Sequence, residues 1–256
     1  MRNGIVMNPL VSVIITLYNY EKYITECLWS CFEQTYPSIE IIVVDDCSTD
    51  KSRLKAEQRL VMLSDKKFQL IYHPKNMGIA ESKNTGIENA SGKLITFIDA
   101  DDMLTPESIE KRVKAFNKNP GLEFVHGYAY RIFGDLSYYK CLKKKFKLHG
   151  KYETVHAQTM MFRKEVFKKH GLFYTLHSKE DKEMTYRLGI HRESPLPTLV
   201  KHKKIETVCA YYRVHKNSAK SSRTPEQAKT LLEKFNNRIA QLKAEGITRE
   251  NTPFES

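Results

Sequence analysis

Apolar runs and amphipathic segments alternate over the first hundred residues of the chain. Nearly uninterrupted apolar runs with many β-branched residues are typical of strands buried in a parallel sheet, and such runs occupy 10–17, 39–44, 68–72 and 94–98. The segments between them have helical periodicity, and from Ile24 to Phe32 apolar residues follow a regular 3.6-residue stripe. The alternation predicts an α/β fold with a parallel sheet covered by helices on both faces.

The pattern becomes more mixed after the fourth strand. Thr105 and Pro106 have the residue types of a helix N-cap and first turn, which predicts a helix running to Asn117. Further strands are predicted at 123–133, 159–162 and 206–214, with short helices between them. A capping-box sequence at 224–227 predicts a last helix that ends at Gly246. We expect this helix to dock on its own domain; another subunit or a membrane surface is the alternative.

Carboxylates follow two of the predicted parallel strands. Asp45 and Asp46 end the second strand, and Asp99, Asp101 and Asp102 end the fourth. Ligands of parallel sheets bind at the carboxyl ends of the strands, and neighbouring carboxylates repel one another unless a cation lies between them. These observations favour a metal and nucleotide site, whereas the simpler interpretation is a set of acidic residues at a helix N-terminus.

No glycine-rich phosphate loop of either common type occurs in the sequence. A phosphate-containing ligand would therefore be held by carboxylates and a metal ion. Mg²⁺ or Mn²⁺ suits this arrangement because it binds through one or two carboxylates while phosphate oxygens complete its coordination.

Charge and composition narrow the class of protein. The chain has 256 residues and a formal net charge of +12, which indicates an anionic partner: nucleic acid, an acidic membrane surface or a phosphorylated ligand. The basic run at 140–151 is either a solvated loop or a contact for phosphate or acceptor.

No apolar run is long enough to span a bilayer, and the N-terminal segment has no cleavage-site pattern. We therefore expect a cytoplasmic protein, with peripheral membrane association as an open alternative; the five scattered cysteines argue against a disulfide framework.

A series of motifs resembles family 2 glycosyltransferases over residues 10–222. In chain order these are VSVIITLYN, VVDDCSTD, N-x-G, KNTGIENASGKLITFIDADD, ED and YYRVHKNSAKS. The resemblance implies the GT-A fold: a mostly parallel, Rossmann-like nucleotide-binding sheet flanked by helices, at 10–105, merged with a smaller acceptor-binding part at 106–222. Residues 1–222 would form this domain and 223–256 a helical extension.

The resemblance also implies an activity. Family 2 enzymes are inverting, so the expected reaction moves a single sugar from a UDP-sugar, with Mn²⁺ or Mg²⁺, to an acceptor hydroxyl. The expected acceptor is a cell-surface saccharide or a lipid-linked glycan. The Q-x-x-R-W motif of processive synthases is absent from the sequence, which favours a non-processive enzyme.

Nucleotide-binding roles can be carried over residue by residue. Asp46 would accept a hydrogen bond from uracil N3–H, Tyr18 would stack on the base, and Thr16 would offer backbone contacts to it. Asp99 would bind the ribose hydroxyls. Lys83 stands where the family usually has arginine, so a bidentate phosphate contact becomes a point charge.

Metal-binding and catalytic roles follow in the same way. Asp101 would coordinate the metal that bridges the diphosphate, with His215 as a further metal or diphosphate ligand. Asp181 would be the general base, since the acceptor hydroxyl must lose its proton as it attacks. Glu180 and Arg213 are candidate contacts to phosphate or acceptor. Without the resemblance, the Glu180–Asp181 pair would be interpreted as an acidic helix N-terminus.

Two other classes of protein stay open at this point. A nucleic-acid-binding module would explain the basic charge, and it merges with the first hypothesis if the acceptor is a modified base in DNA. A nucleotidyltransferase is disfavoured because it would have a signature rich in glycine and basic residues after the first strand, whereas this chain has TLYNYEKY there.

Asp102 is interpreted as helping only to start the helix at Thr105.

Overall fold

The computed structural model describes residues 8–61, 67–133, 149–152, 156–174, 180–191, 194, 198–215 and 225–244. The strands are β1 Val11–Leu17, β2 Ile39–Asp45, β3 Lys67–Tyr72, β4 Leu94–Asp99, β5 Met103–Leu104, β6 Phe124–Phe133, β7 His149–Tyr152, β8 Met160–Arg163 and β9 His202–Val214. The helices are α1 Ile24–Phe32, α2 Ser52–Val61, α3 Ile79–Asn89, α4 Ser108–Lys118, α5 Glu165–His170, α6 Glu180–Arg187 and α7 Pro225–Ala244. A 3₁₀ turn, Ala157–Thr159, precedes β8.

The four strands predicted in the first hundred residues form a parallel sheet in the order β3-β2-β1-β4. β1 lies between β2 and β4, and every residue of β1 and β2 is buried. In the register, Leu17 lies opposite Asp45 and Thr16 opposite Asp99. The acidic ends of β2 and β4 therefore flank the end of β1, and the predicted α/β fold is confirmed.

The sheet continues into the second half of the chain with mixed strand directions. β8 pairs antiparallel with β4, β6 pairs antiparallel with β8, and β9 runs parallel to β6. β9 begins at His202, earlier than the predicted residue 206, and the two-residue strand β5 pairs with its far end. One sheet therefore runs through both predicted halves.

The predicted helix start at Thr105 is wrong. Helix α4 begins at Ser108, and its N-cap residue, Glu107, makes no side-chain capping bond. The preceding residues pair with β9 as strand β5, and the Thr105 hydroxyl donates to the carbonyl of Val208 in that strand. Thr105, which the local sequence assigns to the helix cap, thus hydrogen-bonds to a neighbouring strand instead.

Apolar side chains form a core layer on each face of the sheet. Val13 and Ile15 of β1 point into the layer under α1, α2 and α4, whereas Ile14 points into the layer under α3. Gly86 of α3 lies against Ile14, and a Cβ built there would be 2.3 Å from Ile14 Cγ2. Glycine at this position therefore lets α3 approach the sheet closely.

The C-terminal helix α7 packs against α6. The rings of Phe235 and Tyr186 meet edge to face at 5.6 Å, and Arg238 lies 3.6 Å from Glu183. These contacts agree with docking on the protein's own domain. The predicted stop at Gly246 and most of the basic run lie outside the described residues. Among the helices in the described part of the chain, none is long and apolar enough to cross a membrane.

Candidate active site

Three carboxylates gather where β4 ends. One oxygen each of Asp99, Asp101 and Asp102 lies within 4.8 Å of the others. Burial raises the pKa of Asp99 to about 7, with Lys83 opposing this shift and Asp101 adding to it. Burial and the neighbouring carboxylates likewise raise the pKa of Asp102 well above its usual range. The cluster thus favours a bound cation, and its all-oxygen donor set fits Mg²⁺ or Mn²⁺.

Two members of the cluster are held by the sheet around them. The Thr16 hydroxyl donates to Asp99 at 2.9 Å, and the Thr16 carbonyl accepts from the backbone of Ala100 at 3.0 Å. Asp102 accepts from the backbone N–H of Arg213 at 2.7 Å and from the Gln158 side chain at 2.6 Å. Asp102 therefore joins β9 and the 3₁₀ turn to the end of β4, and its expected role in starting α4 is wrong.

His215 lies beside Asp101 although the two are 114 positions apart in sequence. His215 Nε2 is 3.0 Å from Asp101 Oδ2, and Nδ1 has no hydrogen-bond partner among the described residues. The rings of Tyr20 and Tyr23 pack around the imidazole at 6.0 and 4.7 Å. Burial, followed by the charges of Asp101 and Asp99, raises the pKa of the Tyr20 phenol above its usual range. The two predicted metal ligands are thus brought together.

Sequence reasoning assigned no role to Tyr20 and Tyr23. The available signal was the aromatic sequence YNYEKY, which follows β1 at the binding edge of the sheet.

Arg213 lies behind Asp101 with its guanidinium buried. Its Nε donates to the Asp101 carbonyl at 2.9 Å, and Nη2 lies 3.4 Å from Glu26. The guanidinium also stacks over Tyr23, 4.8 Å from the ring centroid. These partners differ from the phosphate or acceptor contact suggested by the sequence, which stays a prediction.

Asp46 fixes the segment that contains the N-x-G motif. Its carboxylate accepts from the backbone N–H groups of Met77 at 2.7 Å and Gly78 at 2.8 Å, and it lies 2.8 Å from His73 Nδ1. Gly78 has a φ of +93°, a conformation that favours glycine. Three of about four lone-pair sites on Asp46 are occupied, which leaves one for a ligand. His73, whose Nε2 lies 3.0 Å from the Thr85 hydroxyl, was not predicted at this site.

Tyr18 remains accessible at the end of β1, with 42% of its surface exposed. The loop around it is tied to the loop after β2. The Asn19 side chain accepts from the backbone of Thr49 at 2.8 Å, and the Ser48 hydroxyl accepts from the backbone of Asn19 at 3.0 Å. The backbone next to Tyr18 is thus tied to the loop after β2, and the ring is accessible to a ligand.

Lys83 connects α3 to the start of α6. Its Nζ lies 2.6 Å from Glu180 Oε1 and 2.6 Å from Asp181 Oδ1, and Asp181 Oδ2 accepts from the backbone N–H of Ala157 at 2.9 Å. Burial alone would lower the pKa of Lys83, but the charges of Asp181 and Glu180 outweigh it and raise that pKa, so Lys83 is an ammonium. The structure therefore gives Lys83 different partners from the phosphates that the resemblance implies.

The acidic cluster and the Lys83 group act on each other electrostatically. The charges of Lys83, Asp181 and Glu180 all contribute to the pKa of Asp99. Asp181 comes from the second half of the chain, whereas Asp99 and Asp101 end a strand of the first. The arrangement offers an anionic edge for a cation, with a further carboxylate from the second half of the chain near it.

Comparison with known proteins identifies the family. The sequence model described as Glycosyl transferase family 2 matches residues 12–171, which is more than half of the chain. The chain belongs to glycosyltransferase family 2. The matched residues include the strands of the first half and the acidic cluster at the end of β4.

Relatives and solved structures agree with this assignment. A glycosyltransferase of Haemophilus influenzae is 39% identical over 119 residues, which is 46% of this chain and 46% of that protein. Glycosyltransferase GlyA of Streptococcus pneumoniae is 32% identical over 160 residues, 56% of this chain and 22% of that protein. The matches thus span less than half the length of these relatives.

Solved structures establish the fold. The structure of S. aureus TarS 1–349 in complex with UDP-GlcNAc superimposes with a TM-score of 0.68 and 21% identity, covering 94% of this chain and 74% of that one. The mannosyltransferase PcManGT from Pyrobaculum calidifontis, in complex with GDP-Man and Mn²⁺, gives a TM-score of 0.63 at 19% identity, covering 93% and 74%. The predicted GT-A fold is confirmed by these neighbours.

Proposed function

We propose that the protein is a metal-dependent, inverting glycosyltransferase that moves a single sugar from a UDP-sugar to an acceptor hydroxyl. One observation carries the proposal. In a family 2 chain, the cluster of Asp99, Asp101 and Asp102 lies close enough to a carboxylate from the second half of the chain, Asp181, for the charge of Asp181 to act on Asp99. Donor binding and proton removal need these two groups of residues at the same place.

The nucleotide would lie across the ends of β1 and β2. The exposed ring of Tyr18 would stack on the base, and the remaining lone pair of Asp46 would accept from a ring N–H. Asp99, oriented by the Thr16 hydroxyl, would accept from the ribose hydroxyls. The complex of TarS with UDP-GlcNAc supports a UDP-sugar; PcManGT, bound to GDP-Man, makes a guanine nucleotide the alternative that the donor panel below distinguishes.

Asp101 and His215 would hold the divalent cation, with Asp99 and Asp102 contributing negative charge beside them. When bound, Mn²⁺ or Mg²⁺ would neutralise the developing charge of the leaving diphosphate. Asp102 keeps β9, and with it the segment that leads to His215, at a fixed distance from Asp101. Tyr20 and Tyr23 limit the positions that the imidazole can take.

Asp181 would act as the general base. The acceptor oxygen would form a bond to the anomeric carbon while its proton moves to the Asp181 carboxylate. The bond from the anomeric carbon to the diphosphate oxygen would break on the opposite side, and UDP would leave with the electron pair. A single displacement of this kind inverts the anomeric configuration.

The proposed acceptor class follows from the charge of the chain. The net charge of +12 supports an anionic acceptor, for which we propose a cell-surface saccharide or a lipid-linked glycan. We further propose that 1–222 forms the transferase domain and 223–256 an extension. A gel shift with duplex DNA over a salt series tests the alternative acceptor, since strong low-salt retardation would favour nucleic acid.

A donor panel tests the proposed function. Thermal stability would be measured with UDP-glucose, UDP-galactose, UDP-GlcNAc and GDP-mannose, each with Mn²⁺ and with EDTA, followed by UDP or GDP release. We expect one UDP-sugar to raise the melting temperature only with the metal, since a ligand that binds the folded state stabilises it. Release of UDP that persists in EDTA, or in Asp101→Asn, would overturn the metal assignment. The exposed Glu107→Gln variant controls for loss of a carboxylate.

A further inference from the structure

Two neighbouring residues of α3 reach across to the second half of the chain. The Asn84 side chain donates to the Phe173 carbonyl at 3.0 Å and accepts from the Phe173 N–H at 2.9 Å. The Phe173 ring then lies under the Lys83 ammonium, 5.2 Å from centroid to Nζ. The position of the ammonium is therefore fixed by packing from below as well as by its carboxylate partners.

The three side chains of the Lys83 group differ in access to solvent. The side chain of Lys83 is 0% exposed, that of Glu180 is 6% exposed and that of Asp181 is 18% exposed. Each Asp181 oxygen already accepts one hydrogen bond, from Lys83 or from Ala157, and keeps a second lone pair. Asp181 is thus the member of the group that an incoming hydroxyl can reach, and its orientation is set from both sides.

We propose that Lys83 and Glu180 are positioning residues for Asp181: Lys83 holds the carboxylate in place, and Glu180 shares the ammonium so that Asp181 stays basic. The proposal rests on the proposed function, in which Asp181 is the general base. One ammonium and two carboxylates leave a net charge of −1 on the group. If Lys83 were paired with Asp181 alone, the ammonium would stabilise the charged form of that carboxylate more strongly and make it a weaker base.

Other charged groups near Lys83, Glu180 and Asp181 contact different partners. Asp99, at the end of β4, is a further charge that acts on Lys83. On α6 itself, Glu183 pairs with Arg187 at 3.0 Å, and the Lys182 ammonium lies over the Phe235 ring of α7. Burial also raises the pKa of Glu180 itself, so Asp99 and Glu180 are the groups whose titrations have to be separated from that of Asp181.

Two substitutions should move the pH dependence in opposite directions. In Lys83→Met, Asp181 and Glu180 lose their common cation. The acidic limb of the pH profile of kcat should therefore move to higher pH by about one unit or more. In Glu180→Gln, the ammonium belongs to Asp181 alone and the limb should move down by a similar interval. Lys83→Arg keeps the charge and should return the limb towards that of the wild type.

The assay is UDP release from UDP-GlcNAc, or from the panel donor that the wild type hydrolyses, between pH 5 and pH 9 with Mn²⁺. Water then takes the place of the acceptor hydroxyl. A change in Asp99 would appear in the donor KM, because Asp99 contacts the donor, whereas a change in Asp181 would appear in kcat at saturating donor. Glu183→Gln removes a buried carboxylate from the same helix, and we expect it to lower stability without moving the limb.

A measurement without substrate keeps the inference separate from the proposed function. The Asp181 carboxyl can be titrated by ¹³C NMR and assigned by its loss in Asp181→Asn. The expected order of its pKa is Lys83→Met above wild type and wild type above Glu180→Gln. Equal values in all three proteins, or shifts in the same direction, would overturn the inference. A wild type that releases no UDP but shows the expected order would overturn the proposed function alone.

Discussion

The pKa of Asp99 makes the stability of the metal-free protein depend on pH. Burial raises this pKa from 3.8 to about 7, so the folded state keeps a proton that the unfolded chain has already released. The stability from this proton is fully present below pH 3.8 and is lost as the pH rises through about 7. At 1.36 kcal/mol per pH unit, the difference between the folded and unfolded pKa values of Asp99 is equivalent to about 4 kcal/mol of stability.

Asp99→Asn isolates this contribution. Asparagine keeps an oxygen that can accept from the Thr16 hydroxyl, but it carries no charge at any pH. We expect Asp99→Asn to gain stability relative to the wild type, by up to about 4 kcal/mol, between pH 4 and pH 8. Urea unfolding followed by circular dichroism at half-unit steps, in EDTA, measures the difference directly.

The metal should reverse the same effect. Mn²⁺ at pH 8 should stabilise the wild type, because the cation neutralises the carboxylates, and should do so much less at pH 5.5, where Asp99 is protonated. Asp99→Asn and Asp101→Asn should respond weakly at both pH values, while Glu107→Gln should behave as the wild type does. A difference between Asp99→Asn and the wild type that stays constant from pH 4 to pH 8 would refute the reasoning.

Three further substitutions test the packing that supports the site, each by urea unfolding. Gly86→Ala should lower the free energy of unfolding by about 1–3 kcal/mol because its Cβ meets Ile14. If the two side chains did not clash, the double variant with Ile14→Ala would show no coupling energy. Arg112→Met should cost about 2–3 kcal/mol, since the buried guanidinium donates to Thr96 and to the Met160 carbonyl; a neutral result would contradict this. Phe235→Ala should cost about 3 kcal/mol and speed hydrogen exchange in α7, whereas the exposed Leu232→Ala should change little.

The first half of the fold was predictable because its signals are local. A strand buried on both faces is apolar at most positions, so the runs at β1, β2 and β4 marked both the existence and the ends of these strands. Acidic residues at those ends could then be assigned to one edge of the sheet. The two-residue strand β5 carries no such signal, since its pairing partner lies about a hundred residues away, and the helix start was misplaced for that reason.

The candidate site was predictable in its residues more than in their contacts. Asp99, Asp101 and His215 were named from motifs and do lie together. The pairing of Lys83 with Asp181 joins residues 98 positions apart, and no periodicity or spacing reports a contact of that kind. His73 gave no signal either, because a histidine that orients a buried carboxylate looks in sequence like any other histidine.

The charge of the site opposes the charge of the whole protein. Within the described residues, Lys83 pairs with both Glu180 and Asp181, and Arg213 lies 3.4 Å from Glu26. Asp99, Asp101 and Asp102 therefore form a cluster of like charges at the binding edge. A diphosphate would be repelled there unless a divalent cation bound with it. If the net charge of +12 binds the anionic acceptor that we propose, added salt should weaken acceptor binding, while metal concentration should govern binding of the proposed donor.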